Sequence, residues 1–378
     1  MCKSKRGIAI ILFCLLNVSF GVSCSNKSDT LLKANTLKGE IKSIDTSFFH
    51  SMVVMEDGSL WAWGDNSHGQ LGDGTTKSRL SPTKIMDDVL MVSTGEFTMA
   101  VKNDGTLWGW GDNSRGQLGD GTNEARHSPV KIMDDVVYVS VDGYSSHTAI
   151  IKTDGSLWVW GEQLAGGMGD GTTFNQYYPE TPTKVMENVV HASSGGFVVM
   201  AILEDGTLWG WGTNANGALG NGTAAGSISP VLIMENVTFV KANTEFTAAI
   251  TTDGALWTWG FNQYGMLGNG ESTDCYSPIK ILEDVVYVNG ANAITADGAL
   301  WAWHRYESFD GDGDYTIKEL SYSPVEVIDN VAQVAATTTH ALILMSDGSL
   351  WAWGQNDRGQ LGVPAITYSN RQIKIYEP

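Results

Sequence analysis

The sequence predicts an all-β protein, a seven-bladed β-propeller of four-stranded antiparallel blades. Three observations predict it. One segment recurs seven times: DGSLWAWG at 57–64, DGTLWGWG at 104–111, DGSLWVWG at 154–161, DGTLWGWG at 205–212, DGALWTWG at 253–260, DGALWAWH at 297–304 and DGSLWAWG at 347–354. All 14 tryptophans lie in these W-x-W pairs, at spacings of 44 to 51 residues, a period that marks a repeat architecture. No segment sustains a helical period, while short β-rich runs bounded by Gly, Asn and Asp recur throughout.

The third unit shows each element in turn. Lys131–Met133 is a short strand, Asp134-Asp135 a two-residue turn, and Val136–Ser140 a second strand. The loop Val141–Ser146 leads to a third strand, His147–Lys152. Thr153-Asp154-Gly155 is a hairpin turn in which glycine supplies positive φ, and Ser156–Trp160 is the fourth strand. Alternation puts Trp158 and Trp160 on one face, Leu157 and Val159 on the other. The residue between the tryptophans is always small or β-branched, which predicts close packing there. The two-residue connection predicts that its flanking strands form one hairpin. The long connection, such as Asp112–Ser128, is expected to cross between blades. The repeat starts at a second strand (Glu40–Ile44) and ends at a first (Gln372–Tyr376), so pairing of these two segments is predicted to close the ring and remove both edges.

Ahead of the repeats, residues 1–23 read as a secretory signal: basic MCKSKR, apolar GIAIILFCLL, then the small residues Gly21-Val22-Ser23. Gly21-Val22-Ser23-Cys24 resembles the lipobox of bacterial lipoproteins, with Gly21 where leucine is usual; the resemblance implies acylation of Cys24. Residues 24–38 then form a polar tether and 39–378 the propeller. Beyond the signal only Cys24 and Cys275 remain, so no disulfide framework is expected. The location implied is extracellular or cell-surface, with membrane contact only through a lipid at Cys24.

The formal charge is −19, and removing the three cations of residues 1–23 leaves −22. Such acidity opposes nucleic-acid binding.

The pattern DGxLWxWGxNxxGQLGxG followed by Ser-Pro, fullest at Asp57–Gly74 and Asp104–Gly121 with Ser81-Pro82 and Ser128-Pro129 after, resembles the regulator of chromosome condensation repeat family. The resemblance covers roughly residues 39–378 and implies a seven-bladed propeller closed by both termini. It implies two kinds of function. Founding eukaryotic members look like nucleotide exchangers for a small GTPase on chromatin, and secreted bacterial relatives look like protein binders. The sixth unit departs from the pattern, with His304 in place of glycine and no GQLG run. The third unit carries an insertion, Thr172–Thr181, and the seventh has Gly362-Val363-Pro364 in place of Gly-Asp-Gly.

Individual residues offer little chemistry. The tryptophans are read as core, and the Gly-Asp-Gly turns as tight turns, because no lysine and hydroxyl follow as a phosphate loop requires. Asp310–Asp314 carries carboxylates like the start of a calcium loop, but Tyr315 and Ser321 stand where glycine and glutamate are needed, so no metal is assigned. His50, His147 and His340 occupy a position that holds Phe97 and Phe246 elsewhere, which predicts packing rather than catalysis. No cofactor and no catalytic residue are assigned, and the chain is expected not to be an enzyme.

Strand alternation puts the acidic turns and the DG hairpins on one face, and the long loops with the 141–146 type loops on the other. The loop face is where units differ. It carries the candidate partner-binding residues Phe174, Tyr177, Tyr178, Tyr264, Tyr276, Tyr306, Phe309 and Tyr315. The acidic face is read as serving solubility. The expected function is a monomeric, non-catalytic scaffold binding a protein partner. The alternative is a carbohydrate- or cell-wall-binding module, and less favoured are exchange-factor-like activity and an enzyme site assembled across blades.

Overall fold

The computed structural model describes residues 37–378 except 142–146, 163–166, 173–179, 197, 305–306, 310–314, 318–320 and 365. These residues fall within one compact unit, Leu32–Pro378. They form seven four-stranded antiparallel sheets and one small hairpin, with no helix among the described residues. Blade 1 is β1 (Ile41–Thr46), β2 (His50–Met55), β3 (Leu60–Gly64) and β4 (Arg79–Met86). Blade 2 is β5 (Val89–Thr94), β6 (Phe97–Lys102), β7 (Leu107–Gly111) and β8 (Arg126–Met133). Blade 3 is β9 (Val136–Val141), β10 (His147–Lys152), β11 (Leu157–Gly161) and β12 (Thr183–Met186). Blade 4 is β13 (Val189–Gly195), β14 (Val198–Leu203), β15 (Leu208–Gly212) and β16 (Ser227–Met234). Blade 5 is β17 (Val237–Ala242), β18 (Phe246–Thr251), β19 (Leu256–Gly260) and β20 (Cys275–Leu282). Blade 6 is β21 (Val285–Asn289), β22 (Asn292–Thr295), β23 (Leu300–His304) and β26 (Ser321–Ile328). Its long loop carries the hairpin β24 (Glu307–Phe309) and β25 (Tyr315–Ile317). Blade 7 is β27 (Val331–Ala336), β28 (His340–Met345), β29 (Leu350–Gln355) and β30 (Tyr368–Tyr376). The first strands of neighbouring blades contact one another, which makes them the innermost.

The blade boundary is not where connection length predicts. The two-residue turn crosses between blades, and the long loop stays within one: β3 pairs with β4 across residues 65–78, whereas β4 and β5 belong to different sheets. The crossing works because the turn runs under the DG hairpin of the blade it leaves. Val89 N–H donates to Gly58 O at 2.8 Å and Asn103 N–H to Asp88 O at 2.8 Å. The second turn residue, Asp or Asn in six turns, has φ of 57–65°, a conformation these side chains tolerate best after glycine. The assignment of faces survives, since strand direction is unchanged.

Ring closure is corrected with it. Glu40–Ile44 and Gln372–Tyr376 do not pair: β1 pairs with β2, and β30 with β29. Every blade is complete, so the ends need no strand from each other. They close the ring by packing, with Leu37, Ile41, Trp63, Leu342 and Ile375 in one buried cluster. Polar contacts join them as well. Ile44 N–H donates to Gln333 Oε1 at 3.2 Å, Gln333 Nε2 donates to Lys42 O at 2.8 Å, and the Tyr376 hydroxyl donates to Gly39 O.

The tryptophan pair divides its labour. The second ring is fully buried between blades in six of seven cases (Trp63, Trp110, Trp160, Trp211, Trp259, Trp303), and Trp353 is half-buried. Burying such a ring contributes up to about 5 kcal/mol by area. The first ring is half-buried and its indole N–H donates to a hydroxyl beside the DG hairpin, as Trp61 does to Ser59 at 3.0 Å.

Candidate functional site

The loop face is built on a rigid frame. In blades 1, 2, 4, 5 and 7 a buried asparagine (Asn66, Asn113, Asn214, Asn262, Asn356) knots the long loop. Asn113 accepts from Leu118 N–H at 2.9 Å through its Oδ1, and its amide donates to Asp120 Oδ1 (3.2 Å), Thr122 O (2.9 Å) and Glu124 O (3.2 Å). Asp120 in turn holds Arg126 at 2.6 Å. The hydrogen bonds from Thr122 and Arg126 hold its carboxyl below the ordinary range against the burial that raises it.

Each knotted loop then grips the following blade. The Gln117 carbonyl accepts from the Trp160 indole at 3.0 Å and from Thr148 Oγ1 at 2.8 Å. Gly72 has φ +81° and lies against the Trp110 ring, where a Cβ would come within 2.7 Å of Nε1. The last blade grips the first in the same way: Gln360 O accepts from Trp63 Nε1 at 2.9 Å and from Ser51 Oγ at 2.8 Å.

The two blades without the asparagine depart from this frame. Counting nine residues on from the repeat aspartate gives Gln163 in blade 3 and Tyr306 in blade 6. The insertion Thr172–Thr181 and the β24–β25 hairpin sit in those two loops. In blade 6 the turn between β21 and β22 is also shortened, so Asn292 faces Ala302 and the strand stops short of His304. In blade 1 the equivalent glycine, Gly64, meets His50 Cα of the preceding strand, β2, at 2.7 Å from a notional Cβ. Removal of that neighbour is what lets His304 sit at φ 75°. Its Nδ1 lies 2.9 Å from Tyr264 O.

The predicted site residues fall unevenly. Tyr264 (49% exposed) and Tyr276 (38%) lie exposed on the loop face of blade 5. The ring of Tyr264 is 5.9 Å from Phe261 and 6.3 Å from His304. Phe309 and Tyr315 are partners in the backbone register of β24 and β25. Phe174, Tyr177, Tyr178, Tyr306, Cys24 and the segment Asp310–Asp314 lie outside the described residues. Sequence reasoning missed Leu80, Ile228 and Tyr322, which are exposed at the same position as Tyr276, the start of an outer strand. Tyr276 and Tyr322 lie over Gly217 and Gly265 of the preceding loop. The signal was legible: each is the second residue before the recurring Pro or its equivalent.

Inside the ring the inner strands are stitched by side chains. Asp45 Oδ2 accepts Thr94 N–H at 2.8 Å, Ser93 Oγ accepts Val141 N–H (3.1 Å), Ser140 Oγ accepts Ser194 N–H (3.1 Å), Ser193 Oγ accepts Ala242 N–H (3.0 Å) and Asn289 Oδ1 accepts Ala336 N–H (3.2 Å). Each of these bonds satisfies one N–H on the edge of an inner strand. Burial raises the Asp45 carboxyl, opposed by Lys241 and by the Thr94 bonds. Burial likewise lowers His191 to about 4 and pushes Tyr287 up to about 12. Rings of Tyr138, His191, Phe239 and Tyr287 follow one another at 5.1, 4.8 and 5.9 Å. Among the described residues no cluster of three metal-ligating side chains occurs, and no helix is long and apolar enough to cross a membrane.

This frame of repeated, interlocked blades defines a propeller built from W-x-W units. The Regulator of chromosome condensation (RCC1) repeat matches residues 57–101, 104–151, 154–202, 205–250, 253–296 and 347–374, and the chain belongs to that family. The first five matches each span the last two strands of one blade and the first two of the next, and the sixth covers the last two strands of blade 7. A second RCC1 repeat profile matches 41–70, 237–265 and 331–360. Human WBSCR16 has the same fold, with a TM-score of 0.73 at 20% identity over 85% of this chain and 94% of that one. Yeast RCC1 (Prp20), solved bound to Kap60, gives a TM-score of 0.56 at 17% identity over 88% and 75% of the two chains. Among curated proteins, human E3 ubiquitin-protein ligase HERC2 is 44% identical over 43 residues, 11% of this chain. The zebrafish Protein RCC2 homolog is 47% identical over 38 residues, 10% of this chain. The matched stretches span 1% and 8% of those relatives' lengths.

Proposed function

We propose that the chain is a non-catalytic scaffold that binds a protein partner through its loop face, centred on blades 3 and 6. The observation that carries this is the coincidence of two features on one face: five loops are knotted by a buried asparagine, and the two that lack it hold the insertion and the extra hairpin. Rigid frames with a few divergent, aromatic-bearing loops are a common basis of recognition. The protein partners of the yeast relative support it, since Prp20 was solved bound to Kap60 and described with binding properties to Gsp1p and histones. A photo-crosslinking amino acid in place of Tyr264 or Tyr276 is expected to trap the partner, whereas one at Asp134 is not. Trapping at Asp134 alone would place the partner on the other face.

The same proposal puts the propeller outside the cell, tethered by a lipid on Cys24. Cys24→Ser is expected to move the full chain from the membrane to the soluble fraction. Equal partitioning of the two forms would rule the anchor out.

A further inference from the structure

The acidic face, nearly uniform from blade to blade, breaks its pattern at blade 6. In five blades the first tryptophan of the pair faces a lysine on the outer strand: Trp61 and Lys84, Trp108 and Lys131, Trp158 and Lys184, Trp257 and Lys280, Trp351 and Lys374. Each of these lysines also pairs with an acid three residues on, as Lys131 does with Asp134 at 2.6 Å. Three of the first tryptophans carry an ammonium over the ring: Lys102 over Trp108 at 5.8 Å, Lys152 over Trp158 at 5.3 Å and Lys374 over Trp351 at 5.2 Å. In blade 4 the facing residue is Leu232, and in blade 6 it is a carboxylate, Glu326, opposite Trp301.

Trp301 is half-buried and lines a cleft of about 700 Å³ between the end of β20 and the β22–β23 hairpin. Glu283, Asp284 and Asp297 line the same cleft, with Ile281 and Leu282. Lys280, the cation in the lining, is held by Glu283 at 3.0 Å. Among the described residues no lysine or arginine stands over the Trp301 ring. Trp61, Trp209 and Trp257 carry no such cation either, but only Trp301 combines an uncapped ring with a carboxylate opposite it and an acid-lined cleft beside it.

We propose that this cleft is a socket for a lysine or arginine side chain of a basic peptide segment. The cation occupies the face of Trp301, as the chain's own lysines do at Trp108, Trp158 and Trp351. The surrounding carboxylates complement its charge, and its methylene stem lies along Ile281 and Leu282. The socket lies on the face opposite the loops, so it is a second contact surface, independent of the loop-face reading.

The test uses the full chain labelled with 5-fluorotryptophan and followed by fluorine NMR. The probes are the acetyl methylamides of lysine, arginine and norleucine, and tetramethylammonium. The lysyl and arginyl probes are expected to move one resonance, identified as Trp301 by its absence in Trp301→Phe. The neutral norleucine probe leaves it in place. Glu326→Lys places a lysine opposite Trp301 as Lys374 is placed opposite Trp351, whose ring it covers, and is expected to weaken the response at least tenfold, and Glu326→Gln less so. Glu326 is exposed, so both variants keep the fold. An equal response to norleucine, an unchanged response in Glu326→Lys, or no response to any cation overturns the socket. A response to tetramethylammonium without one to the lysyl and arginyl probes overturns its assignment to a peptide side chain.

Discussion

His50, His147 and His340 show what the repeat does with a titratable side chain. All are buried to within 2%. Burial lowers His50 to about 4, against the pull of Asp65, and lowers His340 to about 3, aided by its neighbour His50. Below pH 6.5 the unfolded chain takes up protons that the folded His50 and His340 rings refuse, so stability falls as pH drops from about 6.5 toward 4. His50→Phe places at this site the residue that two sister blades use, Phe97 and Phe246. It is expected to flatten the dependence of unfolding free energy on pH over that window by up to about 1.4 kcal/mol per pH unit. Chemical denaturation at a series of pH values measures it, and an unchanged slope would mean that His50 stays protonatable in the folded protein. The packing role was readable from the sequence because an aromatic replaces histidine at the same step of the repeat. The hydrogen bond between Ser51 Oγ and His340 Nε2, 2.8 Å across the closing seam, was not, since its partners are 289 residues apart.

At the scale of the element, the long loop is the informative unit. Asn113 is fully buried and makes hydrogen bonds to four residues of its loop, so Asn113→Ala leaves several polar groups without a partner. A loss of roughly 2–4 kcal/mol is expected. It should be accompanied by faster hydrogen exchange over 112–125 and little change in β9 and β10. Exchange that quickens equally throughout would show that the knot holds the whole ring rather than its loop. Strand identity and the turn positions were legible from alternation and from Asp-Gly pairs. The blade boundary was not, because connection length does not reveal a turn that passes beneath its own hairpin. Asp88, with φ 63°, and the Val89–Gly58 hydrogen bond make that path possible, and both are tertiary facts. The exposed set at Leu80, Tyr276 and Tyr322 was missed for the same reason: its position follows from which loop lies over which strand.

At the scale of the molecule, one contact recurs at six of the seven seams of the ring. Six second tryptophans donate to a carbonyl of the preceding loop, from Trp110 to Gln70 O (2.9 Å) round to Trp63 to Gln360 O (2.9 Å). The closing seam is chemically like the others, which is why it needs no shared strand. Such a ring holds its loops in fixed relative positions, and the proposed binding at the loop face depends on that. The most direct test is the dissociation constant of the crosslink-identified partner for Tyr264→Ala, Tyr276→Ala, Tyr306→Ala and Phe309→Ala, measured beside the charge reversals Asp134→Lys and Asp135→Lys, with folding monitored separately. At least one aromatic truncation is expected to weaken binding by about 30-fold, the equivalent of roughly 2 kcal/mol, while the charge reversals leave it within a few-fold. Four folded aromatic variants that bind as tightly as the parent, with binding abolished by the reversals at Asp134 and Asp135, would contradict the loop-face reading.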